Sequence, residues 1–334
     1  MAAPKKIIGV LGAGSWATAL VKILTDNGHT VHWYVRNPDH IESIERFGNN
    51  PRYVSSIDLP LNLLRMSSDI NEVVGACNLL VIAIPSAFLN QAFGALTVPY
   101  QDKVFFSAVK GIIPETELIV GEHLNQVMGV PMKNIGVITG PCHAEEVALE
   151  RLSYLTIACL DLKNGRAMAG LLANNYIKTQ VSRDVVGTEY AAVFKNIYAL
   201  AAGIAHGLGY GDNFQAVLMS NAIREMKKII KSVHKLKRNI NQSAYLGDLL
   251  VTGYSVFSRN RMFGNMIGKG YTVKSAMAEM SMVAEGYYAS KSAYKLIECK
   301  GAHEKAPIAC AVYRILYGGE SPKKVFKALT DKLD

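Results

Sequence analysis

Residues 7–11 are an uninterrupted apolar run, and it leads straight into Gly12-Ala13-Gly14-Ser15-Trp16-Ala17. A continuous apolar run of this length is the pattern of a strand buried on both faces. The hexapeptide fits GxGxxA, and each small residue has a distinct geometric task. Gly12 permits a tight turn, Gly14 lets backbone approach a pyrophosphate, and Ala17 lets the following helix pack closely on the strand. The helix start then presents backbone N–H groups to phosphate. The motif alone also occurs in ordinary tight turns. Its place between a strand and a helix-like stretch at 15–26, closed by Asn27-Gly28, carries the reading.

The pattern then repeats. Further apolar runs lie at 30–35, 79–84, 104–109, 135–139 and 155–160, several of them separated by helix-length segments. Alternation of this kind predicts an α/β fold with a Rossmann-type, doubly wound, largely parallel sheet. Near Asp184 it stops. From Thr188 onward the signal is helical, over 189–205, 214–231 and 273–297. A chain of 334 residues suits two domains. The expected division is an NAD(P)-binding Rossmann domain over 1–186 and an all-helical, substrate-binding domain over 187–334.

Lysine and arginine number 36 against 27 acidic residues, a net charge of +9. That balance suits an anionic ligand such as a phosphate. The basic residues are dispersed, the densest run at 227–238 also reads as the solvated face of a helix, and no nucleic-acid-binding motif accompanies it. Cys77, Cys142, Cys159, Cys299 and Cys310 form no CxxC pair, which argues against a disulfide framework or a zinc site and for a reducing, cytoplasmic setting. Neither a secretion signal nor an apolar run of about 18 residues is present, so no membrane insertion is expected. There is no HExxH and no carboxylate cluster at ligand spacing, so no metal is expected, and His143 and His206 read as structural or peripheral.

Several polar residues stand out. Lys195 interrupts an apolar helical stretch, Tyr190-Ala-Ala-Val-Phe-Lys-Asn-Ile-Tyr-Ala-Leu. A lysine deprived of water there has a lowered pKa and can exchange protons near neutrality, although a lysine can also snorkel from such a face. Lys110 directly follows the apolar run 104–109, where ligands bind beyond strand ends. Asp248 can orient Lys195, accept from a substrate hydroxyl or cap a helix. Arg259, with Ser258 and Asn260 beside it, offers a planar fork for a phosphate, or is part of a basic surface loop. Arg36 stands where an acidic residue would hold a ribose 2′-hydroxyl. A guanidinium there favours a 2′-phosphate, can stack on adenine, or is a solvated loop residue.

Six blocks, taken in order, resemble the bacterial NAD(P)-dependent glycerol-3-phosphate dehydrogenases along nearly the whole chain. They are Gly12 to Leu20, Val109-Lys110-Gly111, Gly140-Pro141 with Ala144-Glu145-Glu146, Lys195-Asn196, Gly247-Asp248-Leu249 with Ser258-Arg259-Asn260-Arg261, and Val283-Ala284-Glu285-Gly286. The resemblance implies oxidation of sn-glycerol 3-phosphate, or reduction of dihydroxyacetone phosphate, with NADP or NAD, feeding phospholipid synthesis in a homodimeric enzyme. It implies Lys195 as proton acceptor, with Lys110 and Asp248 in the catalytic group. Gly12, Gly14, Ser15, Trp16, Arg36, Tyr53, Lys110, Ala144, Arg259, Val283 and Glu285 fall to the cofactor. Lys110, Gly140, Cys142, Lys195, Asp248, Ser258, Arg259 and Asn260 fall to the substrate. Cys142 departs from the family's usual hydroxyl residue, and 254–257 is untypical. Two rivals remain: a reductase of the same architecture acting on another small hydroxy acid, and a non-catalytic NADP sensor.

Overall fold

The computed structural model describes residues 7–280 and 284–334. They divide into two compact units. One comprises the described part of Met1–Val109 with Leu118–Val185; the other comprises Lys110–Glu117 with the described part of Val186–Asp334.

The first unit is built on eight strands: β1 (Ile8–Leu11), β2 (Val31–Tyr34), β3 (Leu64–Ser67), β4 (Leu79–Ile82), β5 (Val104–Ser107), β6 (Ile135–Thr139), β7 (Ser153–Cys159) and β8 (Ile177–Ser182). They lie in the order β8-β7-β6-β5-β4-β1-β2-β3. The first six strands are parallel; β7 runs antiparallel to β6, and β8 is parallel to β7. Strand order reverses about β1, the central position of a doubly wound sheet, where ligands bind beyond the carboxyl ends of strands.

Every residue of β1, β4 and β6 is buried, which explains their continuous apolar sequences. The helices of this unit are α1 (Ser15–Asp26), α2 (Pro38–Phe47), α3 (Ile70–Ala76), α4 (Ser86–Gly94), α5 (Val120–Gln126), α6 (Ala144–Ala148) and α7 (Leu162–Leu172). Leu20, Ile23, Leu24 and Trp33 are shut off from solvent in the core. Each such side chain contributes about 1.5–3 kcal/mol.

The second unit is helical: α8 (Val185–Gly207), α9 (Asp212–Val233), α10 (Asp248–Tyr254), α11 (Arg259–Gly268), α12 (Val273–Glu279), α13 (Glu285–Cys299), α14 (Pro307–Leu316) and α15 (Pro322–Thr330). The single helix expected over 273–297 is two. Met280, following α12, takes an extended conformation (φ −93°, ψ 124°) that ends the helix, and α13 starts afresh at Glu285.

Close backbone packing of α8 on α11 places the functional side chains. A Cβ on Gly203 would collide with the carbonyl of Arg261, and one on Gly264 with the carbonyl of Leu200. Only glycine admits that approach, so the start of α11 is held against the middle of α8. No helix among the described residues is long and apolar enough to cross a membrane.

Candidate active site

The glycine turn sits at the end of β1, beside β2 and β4. Gly12 has φ +116°, and a Cβ there would lie 2.7 Å from the carbonyl oxygen of Ala83, so both conformation and space demand glycine. Gly14 differs. Its φ is −72° and a Cβ would meet nothing within 4 Å. The protein's own packing does not require glycine at 14, and the open space above it is what a pyrophosphate lying on the backbone needs. The first turn of α1 carries no acidic residue to repel an anion. The turn therefore fits the dinucleotide expected of it.

Arg36 follows β2 and is exposed, its guanidinium 5.9 Å from the centroid of the Phe88 ring. Ser15 and Trp16 open α1; Tyr53 is exposed, its ring 5.9 Å from that of His40. Ala144 begins α6, which packs on α1. Gly140 adopts φ +135° just after β6. The thiol of Cys142 donates to the carbonyl of Tyr154 at 3.3 Å and lies in the core, so a sulfur in place of the usual hydroxyl is used inside the fold.

In the helical unit, residues far apart in sequence meet. Lys195, on α8, is 4% exposed, and Asp248, at the start of α10, is 1% exposed. The Lys195 ammonium donates to Asp248 Oδ1 and, at 2.9 Å, to Thr252 Oγ1. The Thr252 hydroxyl donates to the Asp248 carbonyl at 2.6 Å, one helical turn back. The second carboxylate oxygen, Asp248 Oδ2, has no hydrogen bond among the described residues and faces the Lys110 ammonium at 3.7 Å. Lys110 belongs to this unit through the segment Lys110–Glu117, and its carbonyl accepts from Asn196 Nδ2 at 3.0 Å. One buried carboxylate thus stands between two ammonium groups, on a helix whose next turn supplies a hydroxyl.

Burial pulls the Lys195 ammonium down from its ordinary range to about 7; Asp248 opposes the shift and the Lys110 charge adds to it. Asp248 is what makes so buried a cation tolerable. On α11, Ser258 Oγ accepts from the Arg261 N–H and caps the helix that Arg259 begins. Asn260 Oδ1 accepts from the Gly286 N–H at 2.9 Å, joining α11 to α13. Glu285 opens α13, and burial raises its carboxyl against the charges of Arg259, Lys110 and Lys195. Those three cations are thereby within electrostatic reach of one carboxylate. Val283 lies outside the described residues.

Sequence reasoning did not single out Thr252 as a partner of Lys195. The i, i+4 spacing from Asp248 was the available signal, since it puts both side chains on one helix face.

A doubly wound sheet carrying this turn, together with a buried lysine of lowered pKa, defines a nicotinamide-dinucleotide-dependent oxidoreductase. The particular kind follows from relatives. The chain belongs to the NAD-dependent glycerol-3-phosphate dehydrogenase family: the model of the family's N-terminus matches residues 7–168, and that of its C-terminus residues 184–327. A glycerol-3-phosphate dehydrogenase (NAD(P)+) of Exiguobacterium sp. is 36% identical over 324 residues, covering 96% of this chain and 94% of its own. The Bacillus subtilis protein of the same name is 33% identical, covering 97% and 94%. The crystal structure of glycerol-3-phosphate dehydrogenase from Coxiella burnetii superposes with a TM-score of 0.90 at 26% identity, over 98% of this chain and 99% of that one.

Proposed function

We propose that the protein interconverts sn-glycerol 3-phosphate and dihydroxyacetone phosphate with NAD(P)(H), Lys195 being the proton-transfer group. The observation that carries this is the buried Lys195–Asp248 pair with Lys110 at its open oxygen. A bound nicotinamide supplies or accepts the hydride. The protein has to position the partners and move one proton on or off the C2 oxygen.

Neutral Lys195 takes that proton in the oxidative direction and returns it in the reductive one, for which a pKa near neutrality is suited. Asp248 and Thr252 fix where the Lys195 nitrogen points. The Lys110 cation draws electron density toward the C2 oxygen and keeps the pKa of Lys195 low. Arg259 pairs with the substrate phosphate through its planar fork, with Ser258 and Asn260 beside it. Gly140 and Cys142 act through backbone, because one has no side chain and the thiol of the other is already committed to Tyr154.

Gly12, Gly14, Ser15 and Trp16 receive the pyrophosphate, and Arg36, Tyr53, Ala144, Lys110, Arg259 and Glu285 complete the dinucleotide's contacts. We read the enzyme as a cytoplasmic homodimer that feeds glycerol 3-phosphate to phospholipid synthesis.

The test follows NADH and NADPH oxidation in parallel, with dihydroxyacetone phosphate and with dihydroxyacetone. Turnover of the phosphorylated ketone with little of the free one is the expected result. Equal rates on both would point to a reductase of another hydroxy acid, and dinucleotide binding without turnover to a sensor.

A further inference from the structure

The glycine turn is held from behind by side chains of three separate elements. Trp33 Nε1, on β2, donates to the carbonyl of Gly12 at 2.7 Å. Asn50, between α2 and β3, donates through Nδ2 to the carbonyl of Ala13 at 3.0 Å and to Thr18 Oγ1 at 2.7 Å. The Thr18 hydroxyl in turn donates to the carbonyl of Gly14 at 3.1 Å. Three successive carbonyls of the turn are therefore engaged by side chains.

Asn50 is wholly buried, and its remaining oxygen lies 2.7 Å from His40 Nε2. Both amide protons of Asn50 are in use, so its oxygen must accept and His40 must carry its proton on Nε2. The bonds then run in one direction without conflict: His40 to Asn50, Asn50 to Ala13 and Thr18, Thr18 to Gly14. His40 is on α2, so the same bonds tie the turn to the helix that follows Arg36.

In a trans peptide the N–H lies opposite the carbonyl of the preceding residue. Holding the carbonyls of Gly12, Ala13 and Gly14 therefore sets the direction of the N–H groups of Ala13, Gly14 and Ser15, on the far side of the turn. Asn50 is not adjacent to the motif, and no local rule for GxGxxA calls for it.

We propose that Asn50 is a positioning residue for dinucleotide binding: with Thr18 and Trp33 it pins three turn carbonyls so that the amides of residues 13–15 are aimed at the pyrophosphate before the dinucleotide arrives. This deepens the reading of the turn as the cofactor site and rests on it. The ordering is built into the fold rather than drawn from the binding energy, which is how preorganisation raises affinity.

Asn50→Asp tests the idea best, because it conserves shape while removing both donors. Kd values for NADH and NADPH, from titration of reduced-nicotinamide fluorescence, should rise by the same factor, roughly tenfold or more. The KM for dihydroxyacetone phosphate and kcat at saturating cofactor should change little. A role in packing alone would leave Asn50→Asp binding like wild type, and that outcome overturns the proposal. Thr18→Val keeps volume and removes the link to Gly14 together with the Thr18 acceptor of Asn50, while the bonds to the Gly12 and Ala13 carbonyls remain; it should move both Kd values in the same direction by a smaller factor, and it decides the matter if Asn50→Asp does not fold.

Gly14→Val separates the two readings, since open space at that Cβ lets the chain fold. If Gly14→Val weakens dinucleotide binding while Asn50→Asp and Thr18→Val do not, the brace alone is overturned. If Gly14→Val binds normally, the turn is not the cofactor site and the brace falls with it.

Discussion

The glycine turn and the lysine–aspartate cluster solve opposite problems. The turn is built from backbone: neutral side chains hold its carbonyls, and no charged side chain is among those braces. The cluster is made of charge. Two ammonium groups share a carboxylate that is 1% exposed. Backbone N–H groups cannot be titrated, so the turn should bind dinucleotide with little dependence on pH near neutrality. The buried amine is held near its own pKa, so the cluster should be sensitive to pH and to every neighbouring charge. Substitutions in the cluster are therefore expected to act on kcat and its pH profile, and those around the turn on cofactor KM.

Lys195→Ala should have the largest effect. General acid–base catalysis contributes roughly 10²–10⁴-fold, and kcat should fall by about that factor while cofactor Kd stays near wild type. Lys195→Arg should not rescue, because a guanidinium stays protonated. In wild type, the rate of glycerol 3-phosphate oxidation should drop as pH falls through about 7, where Lys195 gains a proton and ceases to be a base. The reductive rate should fall in the other direction, as pH rises and the acid is lost. An alanine variant that keeps the oxidative acid limb would transfer the proton-transfer role to Lys110.

Arg259→Ala comes next and asks whether the charge beside the cluster reads phosphate. A hydrogen bond to a charged group is worth about 1.5–3 kcal/mol, or roughly tenfold to a hundredfold. Activity on dihydroxyacetone phosphate should fall by that factor, and the weak activity on dihydroxyacetone should barely move. Equal losses would detach Arg259 from the phosphate.

At the cofactor end, Arg36→Ser probes the exposed cation that follows β2. With a 2′-phosphate partner, KM for NADPH should rise about tenfold while that for NADH changes much less. If Arg36 instead stacks on adenine, as its seat over Phe88 allows, both KM values should rise together.

Thr252→Val should have the smallest effect. It removes an acceptor for the Lys195 ammonium at nearly constant volume. One hydrogen bond is worth about 0.5–1.5 kcal/mol, so kcat should drop severalfold. The protonated form loses a partner, and the acid limb should therefore shift to lower pH. A limb that shifts to higher pH would show that the hydroxyl favours the neutral amine.

The turn was legible because its six residues are contiguous and each obeys a local geometric rule. So were the inner strands, whose burial on both faces shows as unbroken apolar runs. The edge strands escaped. In β3 only Leu64 is buried, and in β8 only Ile177 is, so neither presents an apolar run. Lys195 was conspicuous as a charge in an apolar helix, Lys110 by its place just after a strand, and Asp248 as a carboxylate able to orient a lysine; the family likeness reinforced all three. Asp248 and Thr252 share a helix face by their i, i+4 spacing, but nothing local connects that pair with positions 110 and 195.

Sequence alone therefore determined the elements whose signal is local: the turn, the central strands, the helical second half and the identity of the charged groups. Tertiary structure decided which of those groups meet. Gly203 and Gly264 let α8 and α11 touch backbone to backbone; α10 brings Asp248 to Lys195 of α8, and the segment Lys110–Glu117 joins the helical unit, so one carboxylate serves two lysines. The reason is physical. A pKa is set by the solvent a group loses and the charges within a few ångströms, and both are properties of packing, which brings together residues that sequence distance keeps apart.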